Sequence, residues 1–253
     1  MKLNNQVAIV SGGAQGIGYS IAQLFSKEGA HVVILDINDE NGSQACATIP
    51  NSEFIHCDVA QNSDIQNSVN EIIAKHRKID ICVNNAGILR SGDVLDITEQ
   101  DFDDVINVNL KGAFLLSQAT ARHMVLAGHG SIINMSSVNG ITAIPNILPY
   151  NISKGGLDQL TRVMAIALAS SGIRVNAIGP GSIMTELLEQ VMTDDDKRHS
   201  ILSRTPMGRC GTTEEVAKIA VFLACQDSSY ITGQCIYADG GRLALNYTVP
   251  VND

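Results

Sequence analysis

The sequence has no long apolar run. The run nearest its start, Val7–Val10, is far shorter than the apolar core of a signal peptide, and no segment reaches the length needed to cross a bilayer. The sequence therefore predicts a protein without a membrane partner that works in the cytoplasm. Hydrophobic residues make up 45% and charged residues 17%, a globular composition that argues against a disordered or collagen-like chain.

The sequence also has no surplus of positive charge. Lysine and arginine together number 17 against 26 aspartate and glutamate residues, which gives a net charge of -9 and a pI near 5.0. A nucleic-acid backbone must be met by an excess of cations, so no nucleic-acid partner is expected.

Paired cysteines are missing as well. There is no C-x-x-C motif and no pair of neighbouring histidines at metal-ligand spacing, so the sequence predicts no metal site. The cysteines are expected to be small buried side chains in a reducing compartment. The six scattered positions are Cys46, Cys57, Cys82, Cys210, Cys225 and Cys235.

No linker, low-complexity tract or long repeat marks a domain boundary, so residues 1–253 are predicted to form a single domain. Short β-branched runs alternate with longer helical stretches, which predicts an α/β fold: a doubly wound (Rossmann) seven-stranded parallel sheet with helices on both faces. Thr98 with Asp101, and Thr212 with Glu215, have the spacing of helix capping boxes. The predicted strands are 6–10, 31–35, 53–56, 79–83, 131–136, 173–178 and 234–237.

A glycine-rich stretch, SGGAQGIG, follows the first predicted strand and precedes a helical stretch that begins near Ile17. Such a turn needs residues without Cβ atoms, and the helix N-terminus offers N–H groups to a pyrophosphate. Taken alone, the motif is equally compatible with an ordinary glycine-rich turn. The residues assigned to the cofactor here are Ser11, Gly12, Gln15, Gly16, Ile17 and Gly18.

Asp36 ends the second predicted strand, 18 residues after Gly18. This is close to the spacing of a carboxylate that accepts hydrogen bonds from the adenosine ribose. A 2′-phosphate would meet like charge there, and neither Gln15 nor Ile37 supplies a cation, so NAD is predicted rather than NADP. Asp58, with Val59 beside it, is assigned to the adenine. The alternative for both acids is a solvated turn carboxylate.

The chain resembles the short-chain dehydrogenase/reductase family along nearly its whole length. The resemblance rests on motifs that occur in order: the glycine-rich turn at 11–18, Asn84-Asn85-Ala86-Gly87, Asn109, Ser137, Tyr150-x-x-x-Lys154, and Pro180-Gly181 with Thr185. Ser11 stands where the family more often has threonine, and the hydroxyl is kept.

Tyr150 and Lys154 have a chemistry that their spacing supports independently. Residues four apart on a helix share one face, and an ammonium beside a phenol lowers its pKa from about 10. Tyr150 is therefore a plausible general acid and base. The alternative is a packed ring beside a surface amine.

The resemblance implies roles for further residues. Ser137 would hold the substrate oxygen, Lys154 would also hold the nicotinamide ribose, and Asn109 would connect Lys154 to solvent through water. Alternatively, Ser137 is a cap and Asn109 a structural amide. The remaining cofactor assignments are Asn85, Ala86, Gly87, Pro180, Gly181, Ile183 and Thr185, together with Tyr150 and Lys154. The substrate assignments are Ser137, Asn139, Tyr150 and Met184.

The function expected from these residues is NAD-dependent hydride transfer between nicotinamide and a secondary alcohol or ketone, with a polyol, sugar or similar small alcohol as substrate. Two alternatives stay open: an NADPH-linked 3-oxoacyl thioester reductase and a noncatalytic NAD-binding sensor. A serine hydrolase lacks support because no G-x-S-x-G or S-x-x-K motif is present. Residues 183–205 are expected to form a mobile helical flap over the substrate, and the resemblance implies a homotetramer, with the tail Leu243–Val251 a candidate contact.

Overall fold

The computed structural model describes residues 1–251, and its centre is a sheet of seven parallel strands. The strands are β1 (Val7–Ser11), β2 (His31–Asp36), β3 (Ser52–His56), β4 (Ile81–Asn84), β5 (Gly130–Met135), β6 (Ile173–Pro180) and β9 (Cys235–Ala238). Their order in the sheet is β3-β2-β1-β4-β5-β6-β9, which confirms the predicted architecture. A separate two-stranded ribbon joins β7 (Ile183–Met184) to β8 (Gly211–Thr212).

Helices cover both faces of the sheet. The helices α1, α2 and α9 share one hydrophobic core, and α3, α5 and α6 share the other. The bounds are α1 (Gly16–Lys27), α2 (Asp39–Thr48), α3 (Asn62–His76), α4 (Glu99–Ile106), α5 (Ala113–Ala127), α6 (Leu148–Leu168), α7 (Glu186–Val191), α8 (Asp195–Leu202) and α9 (Thr213–Ala224). No helix within residues 1–251 is both long and apolar enough to span a membrane.

The two cores explain why the strands read as unbroken apolar runs. Val10 and Ile34 belong to one core, whereas their chain neighbours Ile9 and Val33 belong to the other. All four are fully buried. Because successive side chains of a strand point to opposite faces, a sheet covered on both sides selects apolar residues at every position. Each such side chain contributes roughly 1.5–3 kcal/mol on burial.

The two predicted capping boxes differ in the structure. The Thr212 hydroxyl accepts from the Glu215 N–H at 3.2 Å, and the Glu215 carboxylate accepts from the Thr212 N–H at 2.8 Å. Thr98 also accepts from the Asp101 N–H, at 3.0 Å, but the Asp101 carboxylate accepts from the Thr98 hydroxyl instead of the Thr98 N–H. Aspartate is one methylene shorter than glutamate, so only the Thr212 box is complete.

The strand order fixes where a ligand binds. From β1 the chain adds strands outward to β3, and then crosses to the other side of β1 to continue with β4. The connections leaving the carboxyl ends of β1 and β4 therefore run in opposite directions and leave a crevice between them.

Candidate active site

A cavity of about 620 Å³ occupies this crevice. Most of the residues assigned to the cofactor line it, which brings together the segments that follow the first four strands. The predicted residues that line the cavity are Gly12, Gln15, Gly16, Ile17, Asp36, Ile37, Asp58, Val59, Asn85, Ala86, Gly87 and Thr185.

Two glycines of the turn have the left-handed backbone that favours glycine: φ is +61° at Gly12 and +55° at Gly16. A Cβ atom on Gly12 would lie 2.8 Å from the Ala86 Cα, whereas one on Gly16 would meet only Thr185, at 3.7 Å. Gly12 therefore lets two backbone segments touch, and Gly16 keeps the cavity wall open.

The N-terminus of α1 opens onto the same cavity. Gln15 precedes the helix in an extended conformation, its side chain does not cap the first turn, and no acidic residue occurs there. Gln15, Gly16 and Ile17 all line the cavity. The N–H groups of a first turn have no partners within the helix and attract anions. The residues present therefore fit the pyrophosphate of a dinucleotide.

Ser11 and Gly18 are assigned to the cofactor by sequence but lie outside the cavity wall. The Ser11 hydroxyl donates to the Val83 carbonyl at 3.3 Å and accepts from the N–H groups of Asn85 and Ala86, at 3.1 and 3.2 Å. A Cβ atom on Gly18 would lie 2.1 Å from the Gly12 carbonyl oxygen. In this structure both residues hold the turn together: Ser11 bonds it to the β4 segment, and Gly18 lets α1 pack closely on Gly12.

The adenosine end of the cavity carries acidic residues. The Asp36 carboxylate accepts from the N–H groups of Ala14 and Asn38, at 3.2 and 3.1 Å. Asp58, after β3, also lines the cavity, and a third acid, Glu186, lines it from α7. None of the residues that line the cavity is lysine, arginine or histidine, so an additional phosphate beside Asp36 would meet like charge without a cation.

Sequence reasoning missed six lining residues. Leu35 is the last residue but one of β2, and Cys57 directly follows β3. Ile88 follows Gly87, and Val108 lies before α5. The sequence pattern that could have identified Leu35 and Cys57 is their position at the end of a predicted strand, the same pattern that identified Asp36. Glu186 and Gln190 belong to α7, within the predicted flap. Residues 183–205 contain β7, α7 and α8, so their helical character is confirmed.

The predicted catalytic residues meet at the carboxyl end of β5. Ser137 is buried just after β5, where its hydroxyl accepts from the Asn139 N–H at 3.1 Å. Tyr150 and Lys154 share one face of α6, with the Lys154 Nζ 5.4 Å from the centre of the Tyr150 ring. The long helix α6 supplies a rigid base for both side chains.

Burial governs the protonation of this cluster. It raises the pKa of Tyr150, and a hydrogen bond with the Ser137 hydroxyl opposes the rise. Burial lowers the pKa of Lys154 to about 8, against the favourable field of Asp158. The Lys154 ammonium donates to the Met135 carbonyl at 2.7 Å. The net direction is a raised pKa, so burial outweighs the lowering that the spacing of Tyr150 and Lys154 predicts.

Asn109 lies in a π-helical stretch, Asn107–Gly112, between α4 and α5. Its carboxamide accepts from the Ile88 N–H at 2.8 Å and donates to the Ile88 carbonyl at 2.9 Å and to Ser153 Oγ at 3.2 Å. A wider helical turn often marks a functional site. In this structure, however, the side chain has the bonding of a structural amide that fixes the loop after β4.

Gly87 connects the cavity to the catalytic cluster. It lines the cavity, and a Cβ atom placed on it would lie 3.4 Å from Asn109 Oδ1 and 3.7 Å from Lys154 Nζ. The absence of a side chain there leaves the approach from the cavity to Lys154 open.

The remaining residues assigned to the cofactor lie on β6 and in the segment after it. Pro180, Gly181 and Ile183 do not line the cavity: the Gly181 N–H donates to the Ala238 carbonyl at 2.9 Å, and Ile183 is buried beside Gly211.

The two substrate candidates beyond the catalytic cluster are also held by the fold. Asn139 is buried and accepts from the Thr142 hydroxyl at 3.3 Å, and Met184 pairs with Thr212 in the small ribbon.

A doubly wound sheet, a glycine turn at a helix N-terminus and a tyrosine beside a buried lysine define a dinucleotide-binding oxidoreductase. Residues 12–242 match a family model described as enoyl-(acyl carrier protein) reductase. The chain belongs to the short-chain dehydrogenase/reductase family.

Similar proteins include both reductases and dehydrogenases by name. The chain is 40% identical to a 3-oxoacyl-(acyl-carrier-protein) reductase of Thermotoga maritima, over 95% of this chain and 99% of the relative. It is 34% identical to a cyclopentanol dehydrogenase of a Comamonas species, over 96% and 99%. A gluconate 5-dehydrogenase from Burkholderia cenocepacia, solved with NADP and tartrate, is 35% identical with a TM-score of 0.91, covering 96% and 97% of the two chains.

Proposed function

We propose that this protein is an NAD(H)-dependent oxidoreductase that interconverts a small secondary alcohol and its ketone. The observation that carries the choice of cofactor is the acidic wall of the cavity, where Asp36, Asp58 and Glu186 occur without any lysine, arginine or histidine among the lining residues. In NAD the adenosine ribose has a free 2′-hydroxyl, which donates to a carboxylate. In NADP a phosphate at the same position is repelled by it.

Four features of the chain would hold the cofactor. The first turn of α1 offers N–H groups to the pyrophosphate, Asp36 accepts from the ribose, and the stretch Asn85-Ala86-Gly87 forms the wall toward the reacting end. Lys154 would hold the second ribose. When bound, the nicotinamide supplies or accepts the hydride.

Tyr150 exchanges the proton with the substrate oxygen, and Ser137 holds that oxygen by a hydrogen bond. Because burial raises the Tyr150 pKa, the phenol is protonated at neutral pH and is ready to donate a proton to a carbonyl. Alcohol oxidation needs the phenolate. Oxidation is therefore expected to accelerate as pH rises, while carbonyl reduction slows. The Lys154 ammonium stabilises the phenolate once Tyr150 loses its proton.

A small alcohol such as a polyol or a sugar is the substrate class we favour. Ser137 and Asn139 offer polar groups and Met184 an apolar one, which suits a compact substrate with hydroxyl groups. The similarity to a cyclopentanol dehydrogenase and to a gluconate 5-dehydrogenase agrees with this class.

Reduction of a 3-oxoacyl thioester with NADPH is the second candidate. It is supported by the 39–40% identity to reductases named for that substrate. The acidic adenosine end opposes NADPH, and a net charge of -9 opposes docking of an acidic carrier protein. A noncatalytic NAD sensor has no use for a tyrosine beside a buried lysine, so the pair Tyr150 and Lys154 argues against that function.

Absorbance of the reduced nicotinamide separates the three candidates. The purified protein is incubated with NAD or NADP and secondary alcohols, and with NADH or NADPH and ketones or a 3-oxoacyl thioester. We expect turnover with the NAD pair and a small alcohol or ketone. Faster turnover of the thioester with NADPH would establish the second candidate, and NADH binding without any turnover would establish the sensor.

We also propose that the chain forms one domain with a mobile flap at 183–205 and assembles as a cytoplasmic homotetramer. Large apolar side chains are exposed on α5 and α6, including Phe114, Ile152, Val163 and Ile166, which suits contacts between subunits. The tail contacts its own flap, because the Val249 N–H donates to the Ser203 carbonyl at 2.7 Å. Light scattering that gives the mass of a monomer would contradict this assembly.

A further inference from the structure

The opposite end of the sheet holds a second cluster of functional side chains, far from the cofactor cavity. His31 lies at the start of β2, Glu53 near the start of β3, and His76 at the end of α3. One ligand atom from each of the three lies within 4.8 Å of the others. They come from three different elements and are 22 and 23 positions apart in the sequence, so no spacing motif reveals them.

Both imidazole rings contact the same carboxylate oxygen of Glu53. His76 Nε2 lies 2.6 Å and His31 Nε2 3.3 Å from Glu53 Oε1. The two rings are 4.4 Å apart between centres and tilted by 37°. Two imidazole nitrogens and one carboxylate oxygen that converge on a point form a donor set typical of zinc with an open position.

The separations suit such an ion. Ligands about 2.0–2.1 Å from a tetrahedral zinc ion lie about 3.3 Å from one another. The distance between His31 Nε2 and Glu53 Oε1, 3.3 Å, already matches, and His76 must withdraw from Glu53 by about 0.7 Å. The three side chains are partly buried, which limits competition from water.

The surroundings support the same use. His31 and His76 line a cavity of about 350 Å³ together with Gln6, whose buried Oε1 has no hydrogen-bond partner among the described residues. That oxygen offers an acceptor for a metal-bound water. Lys75 contacts Glu53 through the other carboxylate oxygen, Oε2, and so orients the carboxylate while leaving Oε1 for the ion.

We propose that His31, Glu53 and His76 form a binding site for a divalent transition-metal ion, best fitted by Zn²⁺, with water as the fourth ligand. The bound ion ties the edge strand β3 to β2 and to the end of α3, and stabilises the native chain by mass action. It lies at the amino ends of the strands, so it takes no part in hydride transfer.

Calorimetric titration of chelator-treated protein with ZnCl₂ tests the site. The wild type is expected to bind one equivalent, and His31→Gln and His76→Gln are expected to weaken binding by more than about tenfold, since loss of even an outer partner of a ligand has that effect. His56→Gln is the matched control: His56 ends the same strand, β3, at the carboxyl edge of the sheet, where it pairs with Asp39 at 2.8 Å, outside the cluster.

Equal binding by all four proteins would overturn the proposal and assign the ion to the six free cysteines, which every variant retains. The absence of saturable binding by the wild type would also overturn it. If a histidine variant fails to fold, Co²⁺ titration of the wild type decides. Visible bands without a thiolate-to-cobalt band support the site, whereas a thiolate band contradicts it.

Discussion

The cofactor end and the reacting end of the site are built in different ways. At the cofactor end the protein presents backbone: glycines, a helix N-terminus and the short stretch after β4. At the reacting end it presents the buried side chains of Ser137 and Lys154 and the partly buried Tyr150, held by β5 and α6. Cofactor binding should therefore be weakened most by substitutions that add atoms at the cofactor end. Catalysis should be slowed most by substitutions that remove atoms at the reacting end.

Removal of the Tyr150 hydroxyl is expected to have the largest effect. Tyr150→Phe should lower kcat by about 10²–10⁴-fold, the usual contribution of a general acid or base, while NADH affinity changes little. Steady-state rates and NADH fluorescence measure the two effects.

Tyr230→Phe is the matched control because that ring is fully exposed and distant from the cluster. Retention of full activity by Tyr150→Phe would contradict the proton-transfer role. It would also contradict the view that catalysis at the reacting end depends on side chains.

Addition of one methyl group at Gly12 is the corresponding test of the cofactor end. The new Cβ would lie 2.8 Å from the Ala86 backbone, so Gly12→Ala should weaken NADH binding and lower the thermal midpoint. Gly128→Ala provides the control: φ is +74° there as well, but nothing lies within 4 Å of the new atom.

Both variants carry the cost of a left-handed alanine, about 1–2 kcal/mol, and only Gly12→Ala adds the clash. Equal losses of stability, with unchanged NADH affinity in both, would contradict the packing role of Gly12.

The smallest effect is expected outside both ends, at the N-terminus of α9. Thr212→Ala removes the hydroxyl that caps the helix and should lower the free energy of unfolding by about 1 kcal/mol without changing kcat. Thr98→Ala removes a cap from the incomplete box and should cost no more. Urea unfolding of the two variants measures the difference, and a larger loss in Thr98→Ala would contradict the comparison.

The sequence predicts the cofactor end better than the rest of the molecule for a physical reason. Gly12, Gly16 and Asp36 follow from local requirements: a tight turn, a helix start and a strand end within one unit of the chain. The π-helical stretch around Asn109 and the lining residues of α7 depend on packing between distant segments. The cluster of His31, Glu53 and His76 is assembled only by folding, so the prediction of no metal site missed it as a candidate.

The role of Asp36 is tested most directly by measuring the dissociation constants of NADH and NADPH for the wild type and for Asp36→Ala. A hydrogen bond to a charged group contributes about 1.5–3 kcal/mol, so NADH should bind the wild type at least about tenfold more tightly than NADPH, and the substitution should narrow the gap. Tighter binding of NADPH by the wild type would contradict the account and favour the 3-oxoacyl thioester reductase.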